Sequence, residues 1–333
     1  MCARLPWLNG RTCDLSAVQS MHIRPTPRVG GIAVFGVLGL SYIFGSWLTS
    51  ETHSAFVLIT SLLFFVGLAE DFGFHMSPRR RILAAISSSL LMIWLFGVCL
   101  PRMGIPALDP LVEYWAVGIP LTILVTVGIS NGFNLIDGVN GLTSLTAIVA
   151  ALALSEIAEI SGYSTIAHLP IFLAAAVFGF FLVNYPLGLI FLGDAGAYTI
   201  GFVLSWFGIA VLVNAPDVSP WAILLTFFWP AADTTLAVYR RLRRNANVSA
   251  PDRLHVHQIM MRALEICVLG RKCRQISNPL TTLVLAPFVI APPIAGVLLW
   301  NQNLNAFLAV LAFCLLLFLG YAAAPSLIRR FRR

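Results

Sequence analysis

Long apolar stretches, separated by short polar segments, recur along the whole chain. A helix needs about 20 apolar residues to cross a bilayer, and ten stretches reach or approach that length. They lie at residues 30–48, 54–69, 82–100, 115–135, 141–158, 167–187, 196–213, 220–239, 280–300 and 304–324. The pattern predicts an all-α polytopic membrane protein with about ten transmembrane helices.

The polar residues divide the chain around this helical bundle. We expect an N-terminal segment at 1–29, one transmembrane catalytic bundle at 30–324 and a basic tail at 325–333. The bundle contains one long polar loop, 240–279. Residues 1–29 lack the apolar segment of a signal peptide, so we expect no cleavable one.

The composition supports a membrane location. Hydrophobic residues make up 59% of the 333 residues and charged residues only 11%, whereas soluble domains carry about 25% charged residues. The formal charge of +7 is better explained by membrane topology and anionic ligands than by nucleic acid. The six cysteines form no pattern typical of a zinc site.

The basic residues predict the orientation. If residues 1–29 are cytoplasmic and the helices alternate, all but Arg102 of the 21 Lys and Arg residues fall on the cytoplasmic side. An excess of basic residues in cytoplasmic loops is the usual signature of a plasma-membrane protein. We therefore expect both termini and the 240–279 loop in the cytoplasm.

Acidic residues cluster at the same side. Glu70, Asp71, Asp137 and Asp194 lie at the cytoplasmic ends of predicted helices from three hairpins. Carboxylates near a membrane core are costly and usually functional, and several together need a positive charge between them. Mg²⁺, which is typically bound by one or two carboxylates plus substrate phosphates, meets that need; structural ion pairs are the alternative. For Asp233, which lies deeper, an ion-pair or helix-packing role is favoured.

Cations and polar turns accompany these acids. Arginine binds phosphate through paired donors, although the run Arg79–Arg81 has topology anchoring as an equal alternative. Asn134 and Asp137, three positions apart, share a face on a helical turn. Glycine-rich turns follow one predicted helix and precede another, which suits a nucleotide and metal site. The basic candidates on this face are Arg28, Arg79–Arg81, Arg253, His255 and His257.

Six segments in order resemble the polyprenyl-phosphate N-acetylhexosamine-1-phosphate transferases, among them the enzymes that initiate O-antigen and enterobacterial-antigen synthesis. The segments are His22–Gly31, Gly67–Asp71, Asn131–Leu142, Asn184–Pro186, Phe191–Asp194 and Asp252–His257. The resemblance implies a helical bundle with a cytosolic active-site cleft in the bacterial inner membrane. It also implies Mg²⁺ or Mn²⁺, a UDP-N-acetyl sugar donor, undecaprenyl phosphate as acceptor, and release of UMP.

The resemblance also implies roles for individual residues. It implies Asp194 and Asn134 as metal ligands. It implies Asp71, Glu70 and Asp137 as catalytic residues, and it leaves open whether Asp71 acts on the acceptor phosphate or forms a covalent phosphate. It implies a substrate-binding group that consists of Asn140, Phe191, Asn184, Arg81, Arg253, His255 and His257.

Two departures keep other functions open. Glu70 stands where the family usually has Asp, and Asn140 stands where many bacterial members have Asp. A non-catalytic family member is therefore one alternative, and a transporter of lipid-linked sugars is another. Transporter sites favour the bilayer midplane, whereas these acids gather at one face. The identity of the sugar and the existence of a homodimer stay open.

Overall fold

The structure is a computed structural model that describes residues 26–44, 50–243, 254–270 and 273–331. These residues form helices and connecting turns, with no strand among them. The thirteen helices are α1 (Gly30–Phe44), α2 (Ser50–Phe72), α3 (Pro78–Phe96), α4 (Asp109–Val112), α5 (Trp115–Ile136), α6 (Leu142–Ile160), α7 (Ser164–Asn184), α8 (Gly193–Asn214), α9 (Pro220–Thr226), α10 (Phe228–Arg243), α11 (Val256–Leu264), α12 (Arg274–Leu298) and α13 (Asn303–Phe331). The all-α prediction is confirmed.

Seven of the described helices are long and apolar enough to cross a membrane. They are α2, α5, α6, α7, α8, α12 and α13. The pair α9 and α10 adds an eighth if it forms one bent span. Helix α1 contributes only a shorter apolar segment, and the first turn of α3 contains three consecutive arginines. The chain is thus a polytopic helical membrane protein, while the count of ten spans stays a prediction.

One predicted span is not a continuous helix. The stretch 220–239 divides into α9 and α10, which meet at Phe227 with a bend of 85°. Proline lacks the backbone N–H that would bond four residues back, and its ring clashes with that carbonyl. Pro230 directs this clash at Thr226, the residue where α9 ends. The bend therefore follows from the sequence.

The segment predicted as the loop 240–279 contains more helix than expected. Helix α10 continues to Arg243, α11 lies inside the segment, and α12 begins at Arg274. Five residues after α11, Glu265–Leu269, continue it as a π-helical turn. Polar residues thus form helix in this segment. Apolar stretches do not predict these helical residues, because the part of a helix outside the apolar stretch can carry polar side chains.

Helix α8 is the central element of the bundle, and nearly all of its residues are buried. Helix α2 packs directly on its first turn. A β-carbon at Gly67 would lie 2.6 Å from the backbone nitrogen of Ala195, so only glycine permits this approach. The contact brings the C-terminal end of α2 to the N-terminal end of α8.

Arg102 lies at the opposite end of α8. Its guanidinium donates hydrogen bonds to the carbonyls of Leu212, Ala215 and Val218. The last carbonyls of a helix have no partner within the helix, and a cation there also interacts favourably with the helix dipole. The one basic residue predicted on the outer side therefore has a structural role as a cap.

Candidate active site at the N-terminal end of α8

The segment before α1 pairs with the segment before α8. The backbone N–H of Phe191 donates to the Pro27 carbonyl at 2.8 Å, and the Gly30 N–H donates to the Phe191 carbonyl at 2.9 Å. This pairing places Arg28 beside the first turn of α8. Phe191, implied by the resemblance to bind substrate, is half-buried in the same pairing.

Asp194, the second residue of α8, is the focus of the site. Its side chain is 14% exposed. One oxygen accepts a hydrogen bond from the Arg81 guanidinium. The other accepts from the Asn134 amide nitrogen at 3.2 Å and lies 3.9 Å from the Arg28 guanidinium. Asp194 therefore collects contacts from α3, α5 and the segment before α1.

Asp71 contacts the backbone of the same turn. Its carboxylate accepts hydrogen bonds from the N–H groups of Asp194 at 3.0 Å and Ala195 at 2.9 Å. The Arg28 guanidinium lies 3.5 Å from it. Arg28 and Arg81 therefore place positive charge beside the carboxylates of Asp71 and Asp194.

Glu70 shapes the turn between α2 and α3. Its carboxylate accepts a hydrogen bond from the backbone N–H of Met76, six residues later. The Arg81 guanidinium lies 5.9 Å from the ring centroid of Tyr198, within the range of a cation–π contact. Tyr198 was not among the predicted residues, although its position four residues after Asp194 places both on one helix face.

Asp137 caps the C-terminal end of α5. Removal from water raises the pKa of its carboxyl to about 7, against the opposing effects of the Thr143 hydroxyl and the Arg28 charge. The negative charge of Asp194 raises the pKa further. Asp137 therefore belongs to the same electrostatic cluster as Asp194 and Arg28.

Asn140 and Asn184 lie in the interior, with 7% and 5% of their surfaces exposed. The Asn140 side chain donates to the Pro186 carbonyl at 2.9 Å. The Asn184 side chain accepts from the Gly141 N–H at 2.7 Å and donates to the Ile190 carbonyl at 2.8 Å. Both amides tie the turn after α5 to the turn before α8. Their binding of substrate stays a prediction.

His255 is paired with Asp233 inside the bundle. Its Nδ1 lies 2.7 Å from a carboxylate oxygen of Asp233, and both side chains are 2% exposed. The other oxygen accepts the backbone N–H of Val256 at 3.1 Å, at the start of α11. Asp233 thus holds His255 and the start of α11 to α10, which agrees with the helix-packing or ion-pair role preferred for it.

His257 is also buried, and its ring stacks on that of His255 at a centroid distance of 5.8 Å. Neither ring nitrogen has a hydrogen-bond partner within the part of the chain that the structure describes. Burial lowers the pKa of His257 to about 4, although Asp233 opposes the shift. A β-carbon at Gly138 would lie 2.4 Å from its Nε2, so the ring packs against the turn after α5. Arg253 lies outside the described residues.

The metal-binding residues implied by the resemblance are brought together. Asp194 and Asn134 supply a carboxylate and an amide, which suit Mg²⁺ or Mn²⁺ once the amide turns its oxygen toward the ion. In the described ranges, no group of three or more His, Cys, Asp or Glu side chains is arranged to hold a metal. The donor set therefore fits an ion that completes its coordination with substrate phosphates and water.

Six of the predicted residues thus converge at the N-terminal end of α8: Glu70, Asp71, Arg81, Asn134, Asp137 and Asp194. Arg28 joins them as the cation that contacts both Asp71 and Asp194. An all-helical membrane bundle that presents acids, arginines and an amide at one end of a central helix is typical of a phosphate-handling membrane enzyme.

Comparison with known proteins agrees with this description. The profile of glycosyl transferase family 4 matches residues 53–212. A Bacillus subtilis (strain 168) protein named probable undecaprenyl-phosphate N-acetylglucosaminyl 1-phosphate transferase is 28% identical over 254 residues, which are 74% of this chain and 69% of the relative. Two proteins named undecaprenyl-phosphate alpha-N-acetylglucosaminyl 1-phosphate transferase are also similar to this chain, with 28% identity for the one from Salmonella typhi and 29% for the one from Yersinia pestis. Each of these matches covers 75% of this chain and 69% of the relative.

The profile match covers just under half of the chain, and over that region the chain is similar to glycosyl transferase family 4. The matched residues 53–212 contain all six of the converging side chains. The resemblance stated from the sequence motifs is confirmed.

Proposed function

We propose that this chain transfers an N-acetylhexosamine-1-phosphate from a UDP-sugar to undecaprenyl phosphate, releases UMP and so initiates the synthesis of a lipid-linked glycan. The observation that carries the proposal is the cluster around Asp194, where Arg28 and Arg81 contact the carboxylate. Such guanidinium groups bind phosphate oxygens well. The names of the relatives support the same reaction.

The reaction joins two phosphates and needs little covalent help from the protein. An oxygen of the acceptor phosphate attacks the β-phosphorus of the donor, which carries the sugar. The bond from that phosphorus to the bridging oxygen breaks, and UMP leaves with the bonding electrons. Catalysis of phosphoryl transfer rests mainly on positioning and on neutralisation of charge. Arg28 and Arg81 would exchange carboxylate contacts for contacts with these phosphates.

Mg²⁺ or Mn²⁺ would be held by Asp194 and Asn134. The ion would supply positive charge to the diphosphate oxygens during the transfer. Asp137 lies in the same cluster. Near neutral pH, its carboxyl would orient a hydrogen-bonding group of the substrate. The oxygen ligands of this pair match the preference of Mg²⁺ for hard donors.

We also infer that the bundle has ten spans and that its active-site cleft faces the cytoplasm of the bacterial inner membrane. Helices α1, α3 and the bent α9–α10 pair would join the seven long helices. The exposed Arg79 and Arg80 lie at the start of α3, which is the end where Arg81 reaches Asp194. In a cysteine-free background, a membrane-impermeant thiol reagent should label Asp217→Cys in intact spheroplasts and leave Arg80→Cys unlabelled. The reverse pattern would contradict this orientation.

The activity is tested with purified protein in detergent micelles. UMP release is measured with UDP-GlcNAc, UDP-GalNAc and related donors, each with and without undecaprenyl phosphate and Mg²⁺. We expect release only when donor, acceptor and metal are all present. Asp217→Asn, a change at an exposed acid far from the site, serves as the control and should match the wild type. Absence of acceptor-dependent release with every donor would contradict the proposal.

A further inference from the structure

Both oxygens of the Asp71 carboxylate are engaged by the backbone of another helix. One accepts the Asp194 N–H at 3.0 Å and the other accepts the Ala195 N–H at 2.9 Å. The first N–H groups of a helix have no acceptor within the helix. An acidic side chain placed there caps the helix and interacts favourably with its dipole. Asp71, at the end of α2, therefore caps α8.

The packing around this cap leaves the carboxylate little freedom. Gly193, the first residue of α8, has a φ of +77°, and a β-carbon there would lie 2.5 Å from a carboxylate oxygen of Asp71. The side chain of Asp71 is only 1% exposed. The carboxylate thus occupies the space that the missing side chain of Gly193 provides.

The exposure of the two acids separates their roles. A general base must reach the proton that it removes, and a nucleophile must reach the atom that it attacks. Asp71 has its oxygens turned into the α8 backbone, whereas Asp194 is 14% exposed and faces the arginines and Asn134. Arg28, 3.5 Å from Asp71, lies between the two acids.

We propose that Asp71 is a positioning residue, which fixes the first turn of α8 and Arg28 so that Asp194 is held in place for the metal and the diphosphate. The acid neither removes a proton from the acceptor nor forms a covalent phosphate. This inference rests on the proposed function and replaces the catalytic role that the motif resemblance implied for Asp71. Glu70 acts in parallel, because its carboxylate holds the Met76 N–H of the adjacent turn.

Three variants test the proposal. Asp71→Asn keeps one oxygen that can accept an N–H, and Asp71→Ala keeps none. Gly193→Ala leaves Asp71 chemically intact and pushes its carboxylate off the α8 backbone. Asp217→Asn is the matched control. The measurements are hydrogen–deuterium exchange of the first turn of α8 without metal, the apparent Mn²⁺ constant in turnover, and turnover at saturating Mn²⁺.

We expect faster amide exchange at Asp194 and Ala195 in Asp71→Ala and Gly193→Ala, and an intermediate rate in Asp71→Asn. The apparent Mn²⁺ constant of Asp71→Asn should rise about tenfold, the lower end of the effect that is typical when a group supporting a metal ligand is lost. Its turnover at saturating Mn²⁺ should stay within about a hundredfold of the wild type. That combination is expected if the substitution displaces Asp194, and it is not expected if the substitution removes a reacting group.

Three results would overturn the proposal. The first is unchanged exchange at α8 in Asp71→Ala. The second is an unchanged Mn²⁺ constant in Asp71→Asn. The third is a loss of a thousandfold or more in Asp71→Asn that persists at saturating Mn²⁺, the size expected when a general base or nucleophile is removed. If the wild type showed no turnover with any donor, the proposed function would fail, while the exchange measurement would still test the cap.

Discussion

Replacing Asn184 by alanine should destabilise the bundle and not merely weaken substrate binding. The change removes the acceptor of the Gly141 N–H and the donor of the Ile190 carbonyl, at 2.7 and 2.8 Å. Asn184 is 5% exposed, so water reaches these groups poorly. A buried polar group without a partner costs about 1–3 kcal/mol, so the two groups together should lower the free energy of unfolding by about 2–6 kcal/mol.

Unfolding by dodecyl sulfate in mixed micelles, followed by far-ultraviolet circular dichroism, measures this loss. Asn214→Ala is the matched control, because Asn214 is exposed and makes one hydrogen bond within its own helix, to the Ala210 carbonyl. The control should change stability by less than about 0.5 kcal/mol. If Asn184→Ala kept wild-type stability and raised the KM for the UDP-sugar tenfold, Asn184 would contact the substrate and the reasoning from the two hydrogen bonds would be wrong.

Three further predictions concern buried charges and donors away from Asp194. Asp233→Ala strands His255 and should lower the free energy of unfolding by about 3–5 kcal/mol, measured in the same assay; a loss below about 1 kcal/mol would refute it. His257 has a folded pKa of about 4 against an ordinary value of 6.5, so the unfolded chain binds the extra proton between these values. The contribution of His257 to stability should therefore be full above pH 6.5 and fall by roughly 3 kcal/mol as the pH drops to 4. It is measured as the difference in stability between the wild type and His257→Phe, and a difference that stays constant over this range would contradict the prediction. Arg102→Ala leaves three carbonyls at and just after the C-terminal end of α8 without this donor and should cost about 1–3 kcal/mol, with Arg102→Lys closer to the wild type. Equal losses in both variants would contradict a capping role that a lysine ammonium can partly replace.

The positions of the clustered acids were predictable from the sequence. Charges are costly within a bilayer, so Asp137 and Asp194 stand out at the ends of apolar stretches. The bend at Phe227 was also predictable, because Pro230 removes a helical hydrogen bond and its ring clashes with the Thr226 carbonyl. The continuous hydrophobicity of residues 220–239 nevertheless predicts one uninterrupted span.

The partners of these acids were not predictable. Asp71 and Asp194 are 123 positions apart, and no periodicity along the chain indicates that a carboxylate on α2 will meet the backbone of α8. The same limit applies to Asn184. Its motif implies a contact with substrate, whereas its amide forms hydrogen bonds with the backbone of two turns. Long-range hydrogen bonds arise from the packing of helices, which a single sequence does not display.

The central claim is most directly tested by the mass of the lipid product. Purified wild-type protein, incubated with UDP-GlcNAc, undecaprenyl phosphate and Mg²⁺, should yield undecaprenyl diphosphate GlcNAc and an equal amount of UMP. Asp194→Ala, which lacks the carboxylate that Asn134 and both arginines contact, should form less than about a tenth as much product, a barrier increase of at least about 1.4 kcal/mol. No such lipid from the wild type with any UDP-N-acetyl sugar, or undiminished product from Asp194→Ala, would contradict the account.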